Sequence, residues 1–339
     1  MDLSTSYLGF ALPHPLMPGA SPLGDTLDSV KRLEDAGAAA IVLRSLFEEQ
    51  ITRDETGTVQ GILVPEESDS EALSYFPPPE DFTFRPDDYL EHIRRVKAAV
   101  DVPVIASLNG TSRAGWLRYG RLMQDAGADA LELNLYYVPT DPRETGAEVE
   151  QRLLHAVRQV KWSVTVPVAV KLSPFFSSLP AVASELDALG AEGLVLFNRF
   201  LQPDIDPEML LAAPRLRLST PDELLLRVRW LAILYGRVEA SLAATGGVQT
   251  GVDALKAVMA GAHAVQVVTA LLTHGPGHLL RMRRDLQHWL EEHEYESLRH
   301  AQGCMSLLRS SGADLFERGS YMRILHSWRP RTLATGPLS

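Results

Sequence analysis

Four short apolar runs, each entered through a glycine, set the rhythm of the chain. They follow Ala36-Gly37-Ala38, Ala126-Gly127-Ala128, Leu189-Gly190-Ala191 and Ala260-Gly261-Ala262. A glycine there ends a helix in the left-handed conformation without Cβ strain, and an unbroken apolar run after it reads as a strand buried on both faces. Between them, Val102-Pro103 and Val166-Pro167 each open a further apolar run, at a point where no ladder hydrogen is yet needed. With the runs beginning near Leu16 and Val238, the pattern predicts eight strands near 15–21, 39–45, 103–109, 130–136, 167–173, 193–199, 239–246 and 264–269. Amphipathic segments alternate with them at 25–36, 87–100, 113–126, 147–163, 178–189, 221–235, 250–260 and 275–291.

Eight β–α units in succession specify an α/β fold, a (β/α)8 TIM barrel; an open doubly wound sheet shares the local pattern. No Gly-x-Gly-x-x-Gly follows the first strand, which weakens the dinucleotide-binding version of the open sheet. The expected barrel spans 1–292. Residues 46–85 make a long connection after the second strand and are expected to form a lid over the active face. Residues 293–339 are expected to form a helical extension, with a helix near 296–310, that packs on the outside of the barrel or forms an oligomer contact.

Composition narrows the function. Among 339 residues, 32 Lys+Arg face 43 Asp+Glu, for a net charge of −11, which disfavours nucleic acid and anionic membranes as partners. No apolar run approaches the roughly 20 residues of a membrane span, and a cytoplasmic protein is the expectation. Cys304 is the one cysteine, so an intrachain disulfide or a cysteine-held cluster is excluded. The histidines show no metal-ligand spacing at strand ends, and no metal is expected.

Barrel chemistry gathers at the carboxyl ends of strands. The polar and small residues there are Ala20 and Ser21, Arg44 and Ser45, Ser107 and Asn109, Asn134 with Tyr136 and Tyr137, Lys171, Asn198, Gly246 and Gly247, and Thr269 with Ala270. Lys171 interrupts an apolar strand, and a buried ammonium needs a partner. That partner is either Glu132 across the barrel or an anionic group: an electron-rich cofactor or a Schiff-base carbonyl. Gly246-Gly247 and Thr269 occupy the place where barrels hold phosphate, between the loops after strands 7 and 8. Asn134 and Asn198 flank Lys171 on neighbouring strands, and buried amides there define one polar site.

These strand ends, over roughly residues 5–292, resemble the dihydroorotate dehydrogenase family of FMN barrels. The resemblance implies that Ala20-Ser21 lies beside the isoalloxazine, that Lys171 contacts the flavin, that Asn198 contacts the substrate ring, and that Thr245-Gly246-Gly247 and Gln266 to Ala270 hold the phosphate. It implies FMN contacts from Arg44, Ser45, Ser107, Asn109 and Asn134, and substrate contacts from Asn134, Asn198 and Tyr136. Three departures stand out. Arg44 replaces a lysine, a planar fork for a point charge. Tyr137 stands where the family has a Cys or Ser base, and Val138-Pro139 replaces Pro-Asn. Nothing in 70–84 matches the family's further substrate asparagine. Asn134 to Pro142 is similar to a dehydrogenase-like branch of the family.

A tyrosine, with an ordinary pKa near 10, serves more naturally as proton donor or anchor than as base. The implied function is an FMN-dependent oxidoreductase of a CH–CH bond, with Lys171 stabilising the reduced flavin and Tyr137 exchanging the proton. Dihydroorotate, and hence pyrimidine biosynthesis, is the first substrate expectation. The implied partners are a small-molecule substrate, an acceptor protein or soluble electron acceptor, and a second copy in a homodimer. Two alternatives stay open: a flavin-loaded electron-transfer or regulatory partner without dihydroorotate activity, and a Schiff-base aldolase using Lys171.

Overall fold

The computed structural model describes residues 1–48, 50–51, 85–110, 113–199, 203–214, 217–311 and 320–327. Eight parallel strands form the expected barrel: β1 (Leu16–Pro18), β2 (Ile41–Phe47), β3 (Val104–Asn109), β4 (Ala130–Asn134), β5 (Val168–Leu172), β6 (Gly193–Leu196), β7 (Ser241–Thr245) and β8 (Ala264–Val267). Their spatial order is β1-β8-β7-β6-β5-β4-β3-β2. The seam between β1 and the approach to β2 is drawn together by the Ala39 N–H, which donates to the Leu16 carbonyl at 3.1 Å.

Helices α1 (Leu27–Asp35), α2 (Pro86–Lys97), α3 (Arg113–Asp125), α4 (Gly146–Ser163), α5 (Leu179–Ala188), α6 (Leu224–Leu234) and α7 (Gly251–Ala260) alternate with the strands. The last predicted segment, 275–291, is α9 (His278–Glu292), and an unpredicted short helix, α8 (Thr269–His274), precedes it with Gly275 between them. The glycine of each repeat has the expected positive φ, from 79° at Gly37 to 129° at Gly261.

Strand alternation divides the barrel interior into floors. Ala130, Ala169, Ala243 and Ala264 form the lowest floor, with Ile105 and Val195. These small side chains leave room for a hairpin, Thr5–Tyr7 paired with Phe10–Leu12, whose Tyr7, Leu8 and Leu12 plug the bottom of the barrel. Two residues further along three of these strands come Glu132, Lys171 and Gln266, and two further along β4 comes Asn134. A period of two therefore carries every second side chain from an apolar base to a polar mouth. A second hairpin, Pro203–Asp206 with Leu211–Pro214, follows β6 at that mouth. Neither hairpin is predicted by the hydrophobic pattern, because strands of three or four residues carry too few positions to show alternation.

The extension is less helical than expected over 296–310, and a further helix follows at Ser320–Ser327. Within 296–310 only Leu298–Ala301 is helical. Gly303 has φ 67°, and a Cβ there would meet the Tyr235 ring at 2.1 Å. The chain therefore turns onto the ends of α6 and α7, where Gly303 donates to Val258 O at 3.0 Å and Leu307 donates to Ala232 O at 2.8 Å. Almost all of the expected lid at 46–85 lies outside the described residues.

Candidate active site

A cavity of about 410 Å³ opens at the carboxyl ends of the strands. Of the residues singled out in the sequence, Ala20, Ser21, Arg44, Ser45, Asn134, Lys171, Asn198, Gly246, Gly247 and Thr269 all line it. Phe47, Phe197, Leu218, Val248, Val268 and Leu272 give it apolar walls. This combination of apolar walls and a few converging polar groups, in a volume within the roughly 300–1,000 Å³ of small-molecule sites, marks a binding pocket.

Its floor is ionic. The Lys171 ammonium lies 3.1 Å from Glu132 Oε1, with both residues buried. Gln266 bridges them: its Nε2 donates to Glu132 Oε2 at 2.5 Å, and its Oε1 accepts from Lys171 at 3.4 Å. The pair weighed from sequence thus forms, yet Lys171 also faces the cavity. Glu132 works from beneath, and Tyr7 lies below it, where burial and the Glu132 charge push the phenol pKa well up.

One end of the cavity gathers hydrogen-bond donors. Gly246 and Gly247 both have positive φ, 88° and 81°, so the turn after β7 presents successive backbone N–H groups. The Gly247 N–H donates to Ser219 Oγ at 3.1 Å, and Ser219 Oγ is 2.9 Å from Thr269 Oγ1. Asn198 Nδ2 donates to Asn134 Oδ1 at 2.8 Å, which joins the ends of β4 and β6. Ser45 and Ser107 hydroxyls pair at 2.7 Å.

A family model described as dihydroorotate dehydrogenase matches residues 86–290, more than half of the chain. The chain belongs to the dihydroorotate dehydrogenase family. It is accordingly an oxidoreductase acting on CH–CH donors. The catalytic subunit of dihydroorotate dehydrogenase B (NAD(+)) of Thermoplasma acidophilum is 29% identical over 307 residues, 89% of this chain and 98% of that protein. The corresponding subunit of Desulforudis audaxviator is 35% identical over 200 residues, 58% of this chain and 65% of that protein. The NAD-dependent dihydropyrimidine dehydrogenase subunit PreA of Escherichia coli is 24% identical over 318 residues, 89% of this chain and 76% of that protein.

Within this family member the departures have a structural expression. Arg44 places Nη1 2.7 Å from Asp25 Oδ2, so an acid on the other side steers the guanidinium. Burial raises the Asp25 carboxyl pKa, against the pull of Arg44. Tyr136 and Tyr137 leave the first cavity altogether, because β4 ends at Asn134 and alternation stops with it. They line a neighbouring cavity of about 500 Å³ with Val138, Leu153, Phe175 and Phe176, between the mouth and α4. There Tyr137 donates to Glu144 Oε2 at 2.6 Å, Arg152 pairs with Glu144, and the Arg152 guanidinium sits 4.5 Å from the Tyr137 ring centre. Asn109, Ser107 and Ala270 are near the mouth without lining the first cavity.

Sequence reading missed Ser219 and Arg227 as site residues and named Gln266 only through the resemblance. Ser219 comes from the segment between β6 and α6, which has no periodic signal, and Arg227 from α6 itself. Gln266 was legible: like Lys171, it is a polar residue inside an apolar strand.

Proposed function

We propose that the chain is an FMN-dependent dehydrogenase, with FMN in the cavity at the strand ends and dihydroorotate as the first substrate to test. The carrying observation is the donor set at the two ends of one cavity: Gly246, Gly247, Ser219 and Thr269 at one end, and the Lys171 ammonium on the floor. The residues fit the cofactor. A phosphate suits paired glycine N–H groups and two hydroxyls, an aromatic ring suits walls such as Phe47 and Val268, and a cation suits a ring that gains negative charge. Bound there, FMN would supply the two-electron acceptor for the hydride that leaves the CH–CH bond.

The chain's own groups divide the remaining work. Ala20-Ser21 and Arg44 with Ser45 hold one side of the cofactor, backed by Ser107, Asn109 and Ala270. Lys171, fixed by Glu132 and Gln266, offers positive charge to it. The Asn134–Asn198 pair presents amide groups to the substrate, and Tyr136 lines the neighbouring cavity. Tyr137, whose hydroxyl donates to Glu144 at 2.6 Å in the neighbouring cavity, is the candidate relay for the proton lost from the second carbon. In this reading the enzyme is a cytoplasmic homodimer in pyrimidine biosynthesis, reoxidised by an acceptor protein or a soluble acceptor. The relatives' own names, as catalytic or other subunits, support an acceptor protein. Among the described residues no helix is long and apolar enough to cross a membrane.

One observation favours a second reading, a flavin-loaded electron-transfer or regulatory protein without dihydroorotate activity. Among its described lining residues, the first cavity holds no carboxylate, histidine, cysteine or tyrosine to take a proton. The Schiff-base alternative is set aside by the family. The test is Tyr137→Phe, assayed anaerobically for flavin reduction by dihydroorotate. Turnover at least about 100-fold lower with unchanged flavin content supports the proton role. Unchanged turnover removes it, and a wild type that dihydroorotate cannot reduce favours the second reading.

A further inference from the structure

Behind the Gly246 turn, two guanidinium groups share one carboxylate. Arg199 holds Glu223 through Nε at 3.4 Å and Nη2 at 3.3 Å. Arg227 reaches the same carboxylate only at 3.9 Å, and Glu223 also accepts the Thr220 N–H at 3.2 Å. Arg227 is itself 5% exposed. Its other donors are spent on backbone: Nε to Thr245 O at 2.9 Å and Nη1 to Glu223 O at 2.8 Å.

A guanidinium stays charged, and a buried charge is stable only when it is compensated. In this cluster, among the described residues, two positive charges meet one negative charge. Arg227 does not line the cavity, but it packs directly beneath its anion-facing turn. A Cβ on Gly246 would lie 2.9 Å from Arg227 Nη2. The uncompensated charge therefore sits immediately under the turn whose far side offers the Gly247 N–H beside the Ser219 and Thr269 hydroxyls. Arg227 also holds the carbonyl of Thr245, the residue before that turn, and so fixes its shape.

We propose that Arg227 is a positioning residue that supplies the counter-charge for the phosphate of bound FMN. It acts through the Gly246 turn without touching the ligand, and it makes the site select a phosphorylated flavin over riboflavin. The inference rests on the FMN reading above and deepens it. It also explains why a charge that is costly to bury occupies a helix otherwise packed on the barrel: the bound phosphate completes the balance.

The experiment is a titration of the flavin-free full-length chain with FMN and, separately, with riboflavin, followed by flavin fluorescence. Wild type, Arg227→Met and Arg227→Lys are compared at low and high salt. The expectation is that wild type prefers FMN and that Arg227→Met lowers that preference about tenfold or more, the size of one lost charge interaction at moderate dielectric. Riboflavin affinity changes little, and the salt dependence of FMN binding flattens. Arg227→Lys keeps most of the preference.

An unchanged preference in Arg227→Met overturns the inference. So does equal weakening of both flavins, which is what a purely structural role produces. If Arg227→Met does not fold, Arg227→Gln, which keeps amide hydrogen bonds without the charge, decides: a reduced preference supports the inference and an unchanged one overturns it. A wild type that binds neither flavin defeats the FMN reading itself, a result distinct from the others.

Discussion

Removing one member of the Lys171–Glu132 pair should be far worse than removing both. The two residues are 7% and 1% exposed, and their charged atoms lie 3.1 Å apart. Lys171→Met leaves a buried carboxylate with only the Gln266 amide; Glu132→Gln leaves a buried ammonium with two neutral amides. Breaking a buried pair by removing one partner costs about 3–5 kcal/mol, since the survivor is an uncompensated charge. The double variant contains no buried charge, and the amide that Glu132→Gln introduces can still bond to Gln266. It should lose about 2 kcal/mol or less, because replacing a buried pair by neutral groups is often near neutral. The coupling energy is therefore about 4 kcal/mol or more, well beyond the roughly 0.5 kcal/mol within which independent sites add. Urea unfolding of the four proteins, at constant m, reads it directly. Additive losses would refute the ion pair. So would single variants that unfold at the wild-type midpoint. If the pair adds little to stability, as this cycle predicts, its retention is explained by the charge it offers to the cavity.

Two other outcomes follow from the geometry. Gly247→Ala places a Cβ 2.5 Å from the Leu224 backbone nitrogen at φ 81°, so the turn or the start of α6 must move. The left-handed conformation alone costs about 1–2 kcal/mol, and a thermal melt together with flavin titration should show loss of both stability and FMN affinity; unchanged affinity would remove the turn from the cofactor site. His14 is buried, and burial lowers its pKa to about 4. The unfolded chain then binds more protons between pH 6.5 and 4. The stability His14 contributes is complete above pH 6.5 and falls by at most about 3 kcal/mol as pH drops to 4. Unfolding midpoints across that window should shift less in His14→Gln than in wild type, and parallel curves would contradict the assignment.

The barrel was legible because its repeat is a physical requirement: each helix must end and each strand must be buried, so glycine and an apolar run recur. The polar floor was legible for a related reason. Lys171, Asn134 and Asn198 stand out against apolar strands, and alternation brings them to one mouth. What alternation could not reach lay beyond the strand ends. Tyr136 and Tyr137 follow Asn134 by two and three residues, yet their direction is set by a loop, and the loop turns them toward α4. Ser219 enters the site from a segment whose sequence carries no period and Arg227 from the predicted segment 221–235, and only the fold shows that they back the Gly246 turn. The N-terminal plug was hidden for the opposite reason, since it matters through the alanines that make room for it.

The central claim is tested most directly by the flavin itself. The purified chain, supplied with FMN, should retain one FMN per chain and turn yellow, and anaerobic addition of dihydroorotate should bleach that colour. Protein that stays colourless and takes up no FMN would contradict the account.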